Sequence, residues 1–357
     1  MRPLVATIDL SALRHNYAVA HRCAPGRQAF AVVKANAYGH GLREVVAALA
    51  DADGFAVCCL EEALVVREVT ADARLLLLEG CFAADELHQA AALNLDVTVH
   101  SPAQAEALLS AELSQPLNVW LKLDSGMHRL GFCAAALREW HAKFAASANV
   151  AELNLLGHFA CADERGHELN EQQVEQFLSL LDLDFDQRSL ANSAALLTIP
   201  AAHMDWQRPG IMLYGATPFA ELSAKDLGLR PVMSLTAEVI ALREVPAGES
   251  VGYGASWVAR RPSLIGTVSC GYADGYPRHA PPGTEVVVRG QRVGLAGRVS
   301  MDMLCIDLTD VAGAQVGDAV ELWGAQLPVD ELAQRCGSIG YELLTKVTGR
   351  VPRRYLA

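Results

Sequence analysis

The sequence predicts an α/β chain: a (β/α)8 TIM-type barrel over residues 10–228, then a mostly β domain over residues 229–357, joined by a strand from residues 1–9. Three observations carry this reading. Between about residues 29 and 215, short apolar runs alternate with helix-forming stretches. After about residue 228 the texture turns to short β-like segments punctuated by Gly and Pro. The G-x-G-x-x-G phosphate fingerprint of a doubly wound sheet, the alternative architecture, is missing after the first run.

The eight barrel runs are residues 29–33, 55–58, 75–78, 97–99, 119–123, 153–156, 189–190 and 211–214. Between them, Ala-rich stretches such as 42–49, 61–68, 102–109 and 171–181 have the composition of helices. In the second domain, 232–243, 264–268, 285–289, 292–295, 303–308 and 319–323 read as strands, and Arg289-Gly290-Gln291-Arg292 as a hairpin connection. Residues 329–336 and 341–348 read as short helices.

Composition bounds the function. The chain has 357 residues, enough for two domains at roughly 150 each. With 52% hydrophobic and 20% charged residues it is neither disordered nor fibrous. A net charge of −12 argues against a nucleic-acid or anionic-membrane partner. No apolar run approaches the ~20 residues of a membrane span, and the first residues lack a signal h-region, so a cytoplasmic enzyme is expected. Nine cysteines include no Cys-x-x-Cys pair; they read as buried, inert thiols of a reducing compartment. No metal is expected, because His and Cys never fall at ligand spacing.

The chemistry starts at Lys34, which follows the first apolar run directly. A strand-end lysine ordinarily snorkels to water. At the C-terminal end of a barrel strand it instead lies at the mouth, where desolvation makes its amine a usable nucleophile or base. Its context is Ala31-Val32-Val33-Lys34-Ala35-Asn36-Ala37-Tyr38-Gly39-His40-Gly41. Here the chain resembles the alanine racemases, pyridoxal 5'-phosphate enzymes that interconvert L-alanine and D-alanine, and the resemblance covers essentially its whole length. It implies that Lys34 holds the cofactor covalently and that Tyr38 contacts the cofactor phosphate.

Further segments extend the resemblance. In Trp120-Leu121-Lys122-Leu123-Asp124-Ser125-Gly126-Met127-His128-Arg129, Arg129 matches the family arginine near the cofactor and the substrate carboxylate. A guanidinium suits that task because its planar fork stays charged. Lys122 matches a lysine carbamylated in many members; unmodified, it would pair with Asp124. His158, in Gly157-His158-Phe159-Ala160, matches a supporting histidine behind the cofactor ring. Asn192-Ser193 before a helix reads first as an ordinary cap. With Arg208-Pro209-Gly210-Ile211 it falls where barrels of this type bind phosphate. The resemblance assigns Asn192, Ser193, Gly210 and Ile211 to the cofactor, with Tyr341 joining Tyr38 on the phosphate. Arg208 matches the arginine facing the pyridine nitrogen, where most other pyridoxal enzymes use a carboxylate.

In the β domain, Val251-Gly252-Tyr253-Gly254-Ala255 matches the motif of a second base, Tyr253; Trp257 stands where the family often has tyrosine. Tyr272, Met301 and Asp302 match the substrate side. Racemisation needs a proton removed from one face of Cα and one delivered to the other, which two bases achieve without either moving across. A tyrosine of pKa about 10 is a poor base at neutral pH unless its proton is drawn toward His158 and Arg208. The resemblance further implies a homodimer in which Tyr253 of one chain serves Lys34 of the other. Other readings are a racemase for a different small amino acid such as serine, a non-catalytic carrier of the cofactor, and a barrel decarboxylase. The carrier lacks the β domain, and the decarboxylase generally has an acid where Arg208 stands.

Overall fold

The computed structural model describes residues 2–357; position 1 of the expected first strand lies outside them. The chain forms two compact units, one of Arg14–Ala37 with Leu42–Leu213, the other of Met1–Leu13, Tyr38–Gly41 and Tyr214–Ala357. In chain order the first nine strands are β1 (Leu4–Asp9), β2 (Gln28–Val32), β3 (Gly54–Val57), β4 (Arg74–Leu77), β5 (Asp96–Val99), β6 (Leu117–Lys122), β7 (Val150–Leu156), β8 (Arg188–Asn192) and β9 (Trp206–Arg208). Strands β2 to β9 close into a parallel barrel, each pairing with the next and β9 returning to β2.

The eighth barrel strand differs from expectation. The run 211–214 is a 3-10 turn, Ile211–Tyr214, and the strand is Trp206–Arg208. It pairs with both neighbours, Trp206 opposite Ser189 and Gln28. Its Gln and Arg are buried, so it gave no apolar signal. The four apolar residues after Pro209-Gly210 are buried on all sides, which a helical turn achieves as well as a strand.

The strand starts plug the barrel. Phe30 stacks on Trp206 with ring centroids 4.0 Å apart and meets Trp120 edge-on at 5.8 Å. Arg74 lies 5.2 Å over the Trp206 ring and donates Nε–H to Asp96 at 2.7 Å. Asp96 also accepts from Trp120 Nε1 at 2.7 Å and Asn118 Nδ2 at 2.9 Å. A buried carboxylate is tolerable only with such a full set of donors. With this end filled, the strand C-termini are left to carry chemistry.

At the end of β2 the backbone reverses hand. Ala35, Asn36, Ala37 and Tyr38 all sit at φ between 51° and 54°. Left-handed residues cost roughly 1–2 kcal/mol each, so this turn needs anchors. Ala37 N–H donates to Val33 O at 2.8 Å, and Ala35 N–H to Glu62 Oε1 at 2.6 Å. Asn36 Oδ1 accepts from Leu42 N–H at 2.9 Å.

The other unit is a mostly antiparallel sheet. Its spine is β10 (Met233–Val245); β11 (Ser250–Val251) and β12 (Trp257–Val258) form a separate two-stranded ribbon, and the later strands are β13 (Ser263–Val268), β14 (Glu285–Val288), β15 (Gln291–Gly294), β16 (Leu304–Asp307), β17 (Ala319–Trp323) and β18 (Arg353–Leu356). The order is β15-β14-β17-β10-β1-β18, with β13 and β16 leading off the far half of β10. Alternation along β10 buries Met233, Leu235, Ala237 and Val239 on one face. β1 pairs antiparallel with β10, Ala6 opposite Leu235, and parallel with β18, Ala6 opposite Arg353. Arg289 and Gly290 join β14 to β15 with φ 50° and 76°, the two positive values of a type I′ hairpin turn.

Candidate active site

The C-terminal ends of the barrel strands gather most of the expected residues. Lys34 is half-buried immediately after β2 and its neighbour Val33. Lys122 is the last residue of β6 and only 9% exposed. Burial, then the charges of Arg208 and Arg129, push its amine down to about 8, with Lys34 adding and Glu79 opposing. Asp124 does not pair with Lys122. Its Oδ1 accepts the N–H groups of Gly126 and His128 at 3.1 and 2.9 Å, which shapes the exposed loop carrying Arg129.

His158 follows β7 and Arg208 ends β9. Arg208, 4% exposed, donates to Gly157 O at 2.5 Å, to Leu190 O at 3.2 Å and to the Ser189 hydroxyl. Burial lowers its pKa to about 9, which still leaves it charged at neutral pH. His158 Nδ1 lies 3.4 Å from Arg208 Nη2. Burial, then Arg208, Lys122, Arg129 and Lys34, hold His158 well below the ordinary histidine range, so it is neutral. Four cations around a neutral imidazole make this mouth a site for anions.

The expected phosphate residues meet between β8 and β9. Asn192 Oδ1 caps the helix Ser193–Thr198 by accepting Ala195 N–H at 3.0 Å. Ser193 Oγ accepts the N–H of Gly210 at 2.8 Å and of Met212 at 3.4 Å, and Ile211 is buried beside them.

The second unit holds the remainder. The Tyr38 and Tyr341 rings are 6.1 Å apart, and Tyr38 stacks on Tyr214 at 4.7 Å. Burial drives the Tyr38 phenol upward, so it stays protonated as a donor. Gly39, at φ 82°, lies so close to Leu344 O that a Cβ would fall 2.2 Å from it. Tyr253 is 71% exposed on the turn Tyr253–Ala255. Trp257, two residues past Ala255, packs on Val245, Ala259, Ile265 and Ala296. Tyr272 and Ala273 donate backbone N–H groups to Ser300 O and Met301 O at 3.0 and 2.9 Å, which sets Tyr272 beside the 53% exposed Met301. Asp302 is ion-paired with Arg350 at 2.6 Å.

Three supporting residues escaped the sequence reading. Glu62 anchors the turn after Lys34, Asp274 takes Arg2 and the Gly271 N–H, and Tyr214 underlies Tyr38. Glu62 and Asp274 had no local signal beyond being acids. Tyr214 sat inside the run expected to be a strand.

Residues 8–218 match the family model described as alanine racemase, N-terminal domain, and residues 232–355 the one for alanine racemase, C-terminal domain. The alanine racemase of Stutzerimonas stutzeri (strain A1501) is 71% identical over 357 residues, all of both chains. The biosynthetic alanine racemase of Pseudomonas aeruginosa is also 71% identical, over 99% of each chain. A crystal structure of the biosynthetic alanine racemase from Pseudomonas aeruginosa superposes with a TM-score of 0.99 and 71% identity, covering 100% of each chain.

Proposed function

The chain belongs to the alanine racemase family and interconverts L- and D-alanine, and on that premise we propose that it does so with pyridoxal 5'-phosphate on Lys34 and two bases, Lys34 and Tyr253. The carrying observation is the cationic mouth of Lys34, Lys122, Arg129 and Arg208 around the neutral His158. Its cationic donors fit a cofactor that carries a phosphate and a substrate that carries a carboxylate. When bound, the cofactor supplies electron withdrawal that acidifies the substrate Cα–H bond. Asn192, Ser193, Gly210, Ile211, Tyr38 and Tyr341 hold its phosphate, with Tyr38 and Tyr341 donating hydroxyls.

In this reading the protein's own groups do the proton work. Tyr253 removes the proton of L-alanine and Lys34 that of D-alanine, each returning one to its own face. Arg129 holds the substrate carboxylate, with Tyr272, Met301 and Asp302 lining its approach. Arg208 keeps its proton, since about 9 is above working pH and its donors are bound to Gly157, Leu190 and Ser189. It therefore gives no proton to the group it faces, which favours return of the proton to Cα. Lys122, with an amine near 8, loses one proton to become a free amine, and its nitrogen then bonds carbon dioxide and releases a second proton to solvent to give a carbamate. That change converts one of four crowded cations to an anion and gives Arg129 a partner. Following the biosynthetic relative, we assign supply of D-alanine for peptidoglycan in the cytoplasm. No helix of the described residues is long and apolar enough to cross a membrane.

The working unit in this proposal is a homodimer, with the partner subunit's Tyr253 acting at Lys34. The exposure of Tyr253 and Met301 supports it, since both would be covered by a second copy. Lys34→Ala and Tyr253→Phe proteins, each nearly inactive, are mixed and allowed to exchange subunits. Shared sites place both lesions in one site and none in the other, so activity returns to as much as half of wild type per mixed dimer. No recovery on mixing would place Tyr253 within its own chain's site.

A further inference from the structure

Among the described residues, one group of three ligand-type side chains converges: Cys58, Cys59 and Glu62. β3 ends at Val57, the two cysteines turn the chain, and the helix Leu60–Val69 brings Glu62 back over them. Their Sγ and carboxylate atoms all lie within 4.8 Å of one another, and all three residues are half-buried. The spacing i, i+1, i+4 matches no familiar ligand motif, which is why the sequence reading passed over it. Metal–sulfur bonds of about 2.3 Å and metal–oxygen bonds of about 2.0–2.2 Å put donors roughly 3.5–4 Å apart on a tetrahedron. The spread of up to 4.8 Å exceeds that by about 1 Å, and three protein donors leave the fourth position of a tetrahedron for water.

Glu62 also ties this group to the lysine turn. Its Oε1 accepts Ala35 N–H at 2.6 Å, and its Oε2 accepts from Cys58 N at 3.1 Å and Cys58 Sγ at 3.4 Å. Ala35 is the first of the four left-handed residues after Lys34. We propose that Cys58, Cys59 and Glu62 form a site for one thiophilic divalent cation, and that filling it slackens the turn that places Lys34. Binding forms two metal–sulfur bonds and one metal–oxygen bond and releases the two thiol protons to solvent. The net charge of the site is −1 before and after, so no uncompensated charge is created. Oε2, already against Cys58 Sγ, is the oxygen drawn onto the cation, and the shift of the carboxylate stretches the bond from Ala35 N–H to Oε1.

The test uses the holoenzyme and cadmium chloride, read by the ultraviolet thiolate-to-cadmium charge-transfer band and by racemisation of L-alanine. The expected result is a band saturating near one equivalent per chain. Racemisation should fall roughly tenfold with it, the scale of one lost charge-assisted hydrogen bond. The Cys58→Ser/Cys59→Ser protein should racemise normally without cadmium and lose both responses; Cys133→Ser, at an exposed cysteine elsewhere, should keep both. Should the double variant fold poorly, Cys59→Ser alone should halve the band. The second half of the proposal rests on Lys34 as the cofactor lysine, whereas the band does not depend on that assignment. The proposal is overturned by no band at equimolar cadmium, by a band that survives loss of both thiols, or by a full band with unchanged racemisation.

Discussion

Replacing Asp96 with Asn tests the barrel plug. The substitution keeps the shape of a side chain only 3% exposed and removes its charge. Oδ2 now serves both Arg74 Nε and Trp120 Nε1, and Oδ1 serves Asn118. An amide has one acceptor oxygen for those three donors, and its own NH2 faces at least one of them. Removing one partner of a buried pair costs about 3–5 kcal/mol, and Glu152, which also binds Arg74, trims this toward the lower figure. With a denaturant slope of about 3 kcal/mol/M in urea, a loss of about 3 kcal/mol lowers the midpoint of barrel unfolding by roughly 1 M. The assay is urea unfolding followed by tryptophan fluorescence, with Trp140, Trp257 and Trp323 replaced by Phe so that the signal comes from Trp120 and Trp206. The double change Arg74→Met/Asp96→Leu should recover most of the loss, because it leaves no buried charge behind. A midpoint unmoved by Asp96→Asn, or a double variant as weak as the single one, would refute the electrostatic account of the plug.

Lys122 gives up its proton near 8 in the folded chain and at 10.5 in the unfolded one. Between those values the unfolded chain binds more protons, so stability in carbon-dioxide-free buffer should rise with pH across that window, by as much as ~3 kcal/mol. Lys122→Met should flatten the rise. Ala35→Gly removes a left-handed penalty of roughly 1–2 kcal/mol and adds unfolded-chain entropy, for a net gain of about 0.5–1 kcal/mol. The midpoint of barrel unfolding should increase, and a decrease would mean the turn is not strained. Arg208→Glu should lower racemisation and raise pyruvate formation relative to it; normal racemisation with no pyruvate would remove Arg208 from the account.

The sequence was most informative where a strand alternates with a helix and both are apolar. β2 to β8 announced themselves as short Val-, Leu- and Ala-rich runs. β9 did not, because Gln207 and Arg208 are polar residues inside the barrel, and only closure of the sheet makes their burial sensible. Motifs placed Lys34, Arg129, His158 and Arg208 along the chain, but not the burial and charge crowding that set Lys122 near 8, which depend on the ends of β2, β6 and β9 meeting. The hand of the turn after Lys34 was likewise hidden. Ala and Tyr do not favour positive φ, so the conformation is imposed by Glu62, Asn36 and Val33 acting together.

The place of β1 sets a clock on the ribosome. Leu4–Asp9 is made long before either of its partners, Met233–Val245 and Arg353–Leu356. At roughly 5–20 residues per second, more than two hundred residues of synthesis separate β1 from β10, a wait of about 10–45 s. Throughout that interval its Leu4, Ala6 and Ile8 are an apolar edge with no sheet to join. The barrel strands β3 to β9 each pair with a neighbour made shortly before, and only the outer edge of β2 waits, for β9. A nascent chain stalled before residue 233 would therefore present β1 to whatever holdase or stray strand edge is near, and codon choices that slow the β domain would lengthen that exposure.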